Sequence, residues 1–60
     1  MKIKHSTPIE RLEKIKIGDI IESDCGKSGK VVGIEILEYP REKQFYFKLE
    51  NKNGTILIIK

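Results

Sequence analysis

The sequence predicts a mainly β domain: a small barrel of four to five antiparallel strands with one short N-terminal helical turn. Residues 44–50 alternate between apolar and polar side chains, which is the period of a half-buried strand. Asn53-Gly54 is a strong signal for a hairpin turn. Segments rich in Val and Ile alternate with turns that contain Gly or Pro, and this pattern is typical of a meander of short strands.

The length and composition predict one small domain, residues 1–60, without a cofactor or a metal centre. Sixty residues and 6.9 kDa are too few for a large enzyme core. No apolar run approaches the ~18 residues of a membrane span, and we expect no signal peptide. Cys25 is the one cysteine, so no internal disulfide forms, which fits a reducing cytosol and predicts a cytoplasmic protein. Cys25 and the single histidine, His5, cannot build a zinc site between them.

The N-terminal part predicts one short helix. Residues 1–6 alternate weakly and form either a short edge strand or a frayed tail. A helix is predicted over residues 8–14, with Thr7 at N-cap, Pro8 at N1 and Glu10 at N3. In such a capping box, Thr and Glu satisfy each other's backbone N–H groups. The residues expected to cover the core are Ile9, Leu12 and Ile15.

The next segments predict two strands joined by a glycine loop. Residues 19–24 form the first strand, and residues 30–39, rich in Val and Ile, form a longer second strand. Gly26 and Gly29 bracket a tight polar loop between them. Gly33 lies inside the second strand, where a glycine usually marks a bulge or a sharp bend.

The C-terminal part predicts a β-hairpin. A turn at residues 40–43 precedes a strand at 44–50, and an Asn-Gly turn at 51–54 leads into a return strand at 55–59. Closing this meander into an SH3-like barrel would remove its unpaired edges. The core face of the middle strand is expected to carry Phe45, Phe47 and Leu49. Its other face is expected to carry Gln44, Tyr46, Lys48 and Glu50.

The glycine loop resembles a known binding motif. Residues 26–34, Gly-Lys-Ser-Gly-Lys-Val-Val-Gly-Ile, resemble the KOW motif of ribosomal proteins and NusG-type transcription factors. Together with Gly18-Asp19, they are also similar to the Tudor-like C-terminal domain of UvrD-type helicases. Both families are SH3-like barrels, so the resemblance implies binding to RNA, DNA or protein without catalysis. Within it, Lys27, Ser28 and Lys30 occupy the loop that would touch a nucleic-acid backbone.

Weak nucleic-acid binding is the first functional hypothesis, as an accessory of a transcription, translation or repair assembly. The net charge of +3 is mildly basic, which permits such a ligand without demanding it. Tyr46 on the outer face, near Arg41, Lys43 and Lys48, could stack bases while the cations hold phosphates. The alternative is that Tyr46 packs under the N-terminal helix or a loop.

Protein interaction or self-association is the second hypothesis. Residues 56–59, Ile-Leu-Ile-Ile, are all apolar, yet only alternate residues of a strand can face the core. The others must be covered by the helix, by a second copy in a homodimer or by a partner. The first hypothesis needs Lys27, Lys30 and Lys48 on one face, whereas the second needs an exposed apolar C-terminal strand.

Catalysis is not predicted. Residues 26–28, Gly-Lys-Ser, invite comparison with a Walker A loop, but that motif needs a glycine where Ile21 stands and a helix where a strand follows. No paired carboxylates and no Ser/His set support acid–base or nucleophilic work, so we expect neither an enzyme nor a small-molecule substrate. We expect Cys25 to be a small apolar residue at a strand end, and Asp19 to accept backbone N–H groups of its turn.

Overall fold

The computed structural model describes residues 1–60 as a mainly β fold with five strands and one short helix. The strands follow one another in the sheet in chain order; β1 pairs with β2 in parallel, and the other pairs are antiparallel. The mainly β class is therefore confirmed, and the N-terminal residues form an edge strand. No helix has the length and apolar character of a transmembrane span. The elements are β1 Lys2–Ile3, α1 Ile9–Leu12, β2 Ile20–Ser23, β3 Ser28–Tyr39, β4 Glu42–Leu49 and β5 Thr55–Ile59.

The sheet is not closed into the predicted barrel. β1 pairs only with β2 and β5 only with β4, so both end strands keep a free edge. β1 is two residues long, and after Ile3 the chain turns at residues 4–7, where the Thr7 N–H donates to the Lys4 carbonyl at 3.0 Å. This early turn ends β1 after two residues, and no backbone pairing joins the N-terminal segment to β5.

The hydrophobic core lies on one face of the sheet. Both end strands contribute to it, Ile3 from β1 and Ile56 and Ile58 from β5, so the sheet curls around the core although its edges do not pair. The predicted core face of β4 is confirmed, because all three apolar residues assigned to it are buried. The ten core residues are Ile3, Leu12, Ile15, Ile21, Val31, Phe45, Phe47, Leu49, Ile56 and Ile58.

The predicted capping box does not form. Helix α1 begins at Ile9 with Pro8 at N-cap, and no side chain caps it. The Thr7 hydroxyl instead accepts a hydrogen bond from the Lys4 N–H at 2.9 Å, because it closes the turn that joins β1 to the helix. The predicted core side of this segment is confirmed: Leu12 and Ile15 are buried, and Ile9 packs against them.

Strand β3 carries a bulge at the predicted glycine. Val31 lies opposite Leu49, but Gly33 lies opposite Lys48, so Val32 is an extra residue in the strand. A Cβ atom at Gly33 would lie 3.4 Å from the Lys48 Cβ, which leaves little space for a larger residue. The bulge lets β3 bend, so that its first part pairs with β2 and its longer second part with β4.

The β4–β5 turn differs from the predicted Asn-Gly turn. Asn51, with φ of 56°, and Lys52, with φ of 61°, form the left-handed pair of the turn, and Gly54 after them also has a positive φ of 96°. The Asn53 N–H donates to the Glu50 carbonyl at 3.1 Å. This is the pattern of a type I′ turn placed two residues earlier than expected. The Asn53 side chain is engaged elsewhere, since its amide donates to the Ser28 carbonyl at 3.2 Å.

The positive φ of Lys52 predicts a stabilising substitution. A residue with a Cβ atom in the left-handed region costs about 1 kcal/mol, and Asn-Gly is the preferred type I′ pair. We expect Lys52→Gly to raise the free energy of unfolding by about 0.5–1 kcal/mol in urea titrations. Lys16→Gly is the matched control, because Lys16 is exposed but has no positive φ, and it should lower stability. A loss of stability in Lys52→Gly would contradict the assigned turn.

The two faces of β5 predict unequal costs for neighbouring substitutions. Ile58 is 3% exposed in the core, whereas Ile59 is 40% exposed on the other face. We expect Ile58→Ala to lower the free energy of unfolding by about 2–5 kcal/mol. Ile59→Ala should lower it by about 1 kcal/mol or less, since it changes mainly strand propensity. Equal losses in urea titrations of the two variants would contradict the observed register.

Candidate functional site

Lys43, a predicted phosphate-binding residue, lies on the core side of the sheet. Its Nζ is 2.8 Å from Glu13 Oε2, 3.3 Å from Glu38 Oε1 and 5.5 Å from the centre of the Phe45 ring. The hydrogen bond with Glu13, together with the Glu38 carboxylate, raises the pKa of Lys43 above its ordinary value. Lys43 therefore pairs with two acidic residues of its own chain on the core side, and its assignment to the same surface as Tyr46 is wrong.

Arg41 occupies the far end of the β3–β4 hairpin. The hairpin turn is Pro40-Arg41 alone, because Tyr39 already pairs with Glu42. A strand rises about 3.4 Å per residue, so Arg41 lies on the order of 20 Å from Lys48. These two predicted residues cannot contact the same phosphate.

Three of the predicted residues, Lys30, Tyr46 and Lys48, lie on the outer face of the sheet, opposite the core. Tyr46 is half-buried, and its hydroxyl donates to Gln44 Oε1 at 2.8 Å. The helix contributes Leu12 to the core on the opposite face, so Tyr46 does not pack beneath it. Acidic residues interleave with the cations on this face, since Glu35 lies directly opposite Tyr46 and Glu42 lies further along β4.

The glycine loop directs its lysines to different surfaces. The loop bends at Gly26, where φ is 93°, and the Ser23 hydroxyl accepts the Lys27 backbone N–H at 3.2 Å. The Lys27 side chain turns toward β5, whereas Lys30 lies in β3 opposite Ile20 on the outer face. Ser28 begins β3 opposite Glu22, so the loop residues predicted to bind a nucleic-acid backbone do not form one basic surface.

Strand β5 exposes apolar side chains on the outer face. Leu57 is 43% exposed and Ile59 is 40% exposed, whereas their neighbours Ile56 and Ile58 are buried. Leu57 lies opposite Tyr46 on β4, and neither the helix nor a loop of this chain covers the two exposed side chains. The prediction that alternate residues of this strand point outward is confirmed.

No strand pairs with β5 along the edge that points away from β4. Lys43 and Lys60 exchange two backbone hydrogen bonds, of 2.9 and 2.8 Å, and the Leu49 N–H donates to the Gly54 carbonyl at 2.9 Å. In an antiparallel ladder these pairs alternate, so the even-numbered residues of β5 bond to β4. The N–H and C=O groups that point away from β4, which we call the β5 edge, belong to Thr55, Leu57 and Ile59.

A cleft of about 430 Å³, which we call the edge cleft, lies alongside this edge. It separates β5 from residues 3–5 and from the 23–27 segment, where the barrel would have closed. Two lysine side chains span the gap. Lys27 Nζ donates to the Thr55 carbonyl at 3.2 Å, and Lys60 Nζ donates to the His5 carbonyl.

Cys25 is an exposed loop residue beside the cleft, and its predicted place as an apolar residue at a strand end is wrong. Its Sγ lies 2.9 Å from the Ser23 hydroxyl. The pKa of the Cys25 thiol is lowered from its ordinary value by this hydrogen bond first and then by the backbone N–H of Lys27. No three His, Cys, Asp or Glu side chains come together as a metal site. Asp19 accepts the Lys16 N–H at 2.9 Å, as predicted.

No protein-family model, curated protein or solved structure matches the chain. The function of the chain is therefore inferred from its own surfaces. The predicted phosphate-binding residues divide among the hairpin tip, the core side, the outer face and the edge cleft. The β5 edge and the edge cleft, by contrast, bring unpaired backbone groups, exposed apolar side chains and an open space into one place.

The hydrogen bond between Ser23 and Cys25 predicts pH-dependent reactivity. The thiolate is the nucleophile, so a lowered pKa means a larger reactive fraction at neutral pH. We expect Ser23→Ala to raise the pH midpoint of Cys25 alkylation by iodoacetamide and to slow the reaction at neutral pH, measured by mass spectrometry across a pH series. Ser28→Ala, at the other end of the loop, should leave the midpoint unchanged. An unchanged midpoint in Ser23→Ala would refute the stated cause.

Proposed function

We propose that the chain is a small non-catalytic binding module whose ligand is another protein, bound through the β5 edge. The observation that carries this proposal is the free side of β5, where the backbone groups of Thr55, Leu57 and Ile59 pair with no other strand beside the edge cleft. An extended peptide can add a strand to such an edge, because its own N–H and C=O groups complete the ladder.

The composition of β5 supports this proposal. Native sheets usually protect a free edge with proline, a bulge, a charged side chain within the strand or a very short strand. The sequence Thr55–Ile59 contains no proline and no charge, and its pairing with β4 is regular. The opposite edge, β1, is only two residues long. An exposed apolar strand with a free edge is a site for pairing with another chain.

The resemblance of residues 26–34 to KOW and Tudor-like domains supports a binding role of the same general kind. We retain an SH3-like origin of the fold as part of the proposal, since the curled five-stranded sheet and the bulge at Gly33 are compatible with a barrel whose last strand pairing is missing. A protein ligand is one of the ligand classes that the resemblance implies.

Weak binding of RNA or DNA on the outer face is the second candidate function. It is favoured by the shared face of Lys30, Tyr46 and Lys48, where an aromatic ring and two cations could meet a nucleic-acid strand. With so few cations on one surface, such binding would be backbone-directed and would weaken moderately with salt.

A peptide selection tests strand addition at β5. We expect a random peptide library displayed on phage to yield binders that shift the amide resonances of Thr55, Leu57 and Ile59. In a chemically synthesised chain, N-methylation of Leu57 removes one outward N–H and keeps the side chain. This change should weaken the binding of the selected peptides at least tenfold, which corresponds to about 1.4 kcal/mol. N-methylation of Ile17 is the control, since the Ile17 N–H makes no backbone hydrogen bond.

Two results would overturn the proposal. One is a library that yields no binder, and the other is a set of binders that is insensitive to N-methylation of Leu57. A parallel titration with a single-stranded RNA and a DNA duplex at low salt tests the second candidate. Shifts confined to Lys30, Tyr46 and Lys48 that fade as salt rises would replace the protein ligand by a nucleic acid.

A further inference from the structure

Basic groups border the edge cleft. Lys4, His5 and Lys27 line it, and Lys60 reaches the His5 carbonyl at its C-terminal end. Asp24 is the one acidic residue in the lining. The cleft is therefore more basic than the outer face, where acidic and basic residues interleave. A strand that enters the cleft must pass between these lysines.

Lys27 occupies the place that a bound strand would take. Its Nζ donates to the Thr55 carbonyl, which is one of the outward groups of the β5 edge. An incoming peptide N–H would take over this carbonyl and leave the ammonium group without its acceptor. A carboxylate on the peptide would then be the best replacement, because a charge-assisted hydrogen bond is stronger than one to a neutral carbonyl.

Charge opposes a second copy of the chain as the occupant. If two β5 strands paired antiparallel about Leu57, Gly54 of one copy would lie opposite Lys60 of the other. Lys27 lies beside Gly54, with its Nζ 3.7 Å from where a Cβ of that residue would be. Each end of the paired strands would therefore bring two lysines together, and like charges across a strand pair are destabilising.

We infer that the edge cleft binds an extended acidic peptide segment of a partner protein, added as a strand to β5, with a carboxylate near each end of the cleft. This inference rests on the proposed function and adds the chemistry of the ligand to it. One carboxylate pairs with Lys27 beside Thr55, and the other meets Lys60 and His5 beside Ile59. At about 3.4 Å per residue, these ends are roughly 14 Å apart, so the acids are four to six residues apart in the ligand.

The residues between the two acids meet apolar surface. On the outer face of the sheet, the side chains of the added strand lie beside Leu57 and Ile59, which are exposed in the free chain. Its inward side chains face the mouth of the core at Ile3 and Ile56, which line the cleft. The ligand pattern is therefore an acid, a short β-forming segment and a second acid.

Two synthetic nonapeptides of sequence EETVTVTEE and KKTVTVTKK test this inference, since they share one central segment and differ only in the charge of their ends. NMR titrations of the isotope-labelled protein at low and at high salt give the dissociation constants. We expect the acidic peptide to bind at least tenfold more tightly at low salt, with shifts at Thr55, Leu57 and Ile59. The preference should shrink as salt rises, because salt screens the exposed charges.

A matched pair of charge-reversal variants locates the preference. The preference is the dissociation constant of the basic peptide divided by that of the acidic peptide. Lys27→Glu should lower this ratio about tenfold, the equivalent of about 1.4 kcal/mol. Lys52→Glu changes the net charge equally but lies outside the cleft, so it should leave the ratio within about twofold. The amide spectra of both variants show whether the fold is retained.

The outcomes separate this inference from the proposed function. Equal binding of both peptides at β5 would overturn the acidic ligand and leave strand addition standing. Failure of the acidic peptide to shift β5 would also overturn the inference, and the library selection then decides strand addition independently. A concentration-dependent dimer in analytical ultracentrifugation that protects the β5 amides would replace the acidic partner by a second copy.

Discussion

The structure depends on one constraint, which is that a chain of only sixty residues has to bury the apolar face of its sheet. Strands β4 and β5 place Phe45, Phe47, Ile56 and Ile58 on that face by alternation, and every other element covers what these two strands leave open. Helix α1 and the turn after it add Leu12 and Ile15, and β1 adds Ile3. Because Ile3 reaches the core from a strand of only two residues, the core can be completed without completing the ladder. The free β5 edge is a direct consequence of this arrangement.

A free edge beside an exposed apolar surface carries a risk of self-association, and the charges around it bear on that risk. Lysines at a sheet edge are one of the means by which native proteins oppose edge-to-edge pairing. The side chains of Lys27 and Lys60 reach across the edge cleft near opposite ends of β5. The same two side chains that oppose a second copy would attract an acidic strand, so selectivity against the wrong partner and affinity for the proposed one have a common origin.

The sequence predicted the features that depend on neighbouring residues along one strand and missed those that depend on distant contacts. The burial of Phe45 and Phe47 follows from alternation alone, and the bulge follows from a glycine inside a strand. The capping box failed because the Thr7 hydroxyl serves the turn from β1, and the Asn-Gly turn moved because the Asn53 side chain bonds to the Ser28 carbonyl. The role of Lys43 was hidden because Glu13, its closest acid, lies far away in the chain and approaches it only in the folded protein. The open sheet was missed for a related reason, since nothing local to residues 1–6 limits the strand to two residues.

The open sheet also links ligand binding to stability. A domain of this size buries only about 60% of the surface of its unfolded chain, so its free energy of unfolding is small. A strand in the edge cleft would pair the outward groups of Thr55, Leu57 and Ile59 and cover Leu57, which the chain leaves exposed. Any ligand that binds only the folded state raises the free energy of unfolding, by about 2.7 kcal/mol when its concentration is a hundred times the dissociation constant. For a chain whose core is complete but whose ladder is not, a bound strand would supply the missing pairing, and binding and stabilisation would be the same event.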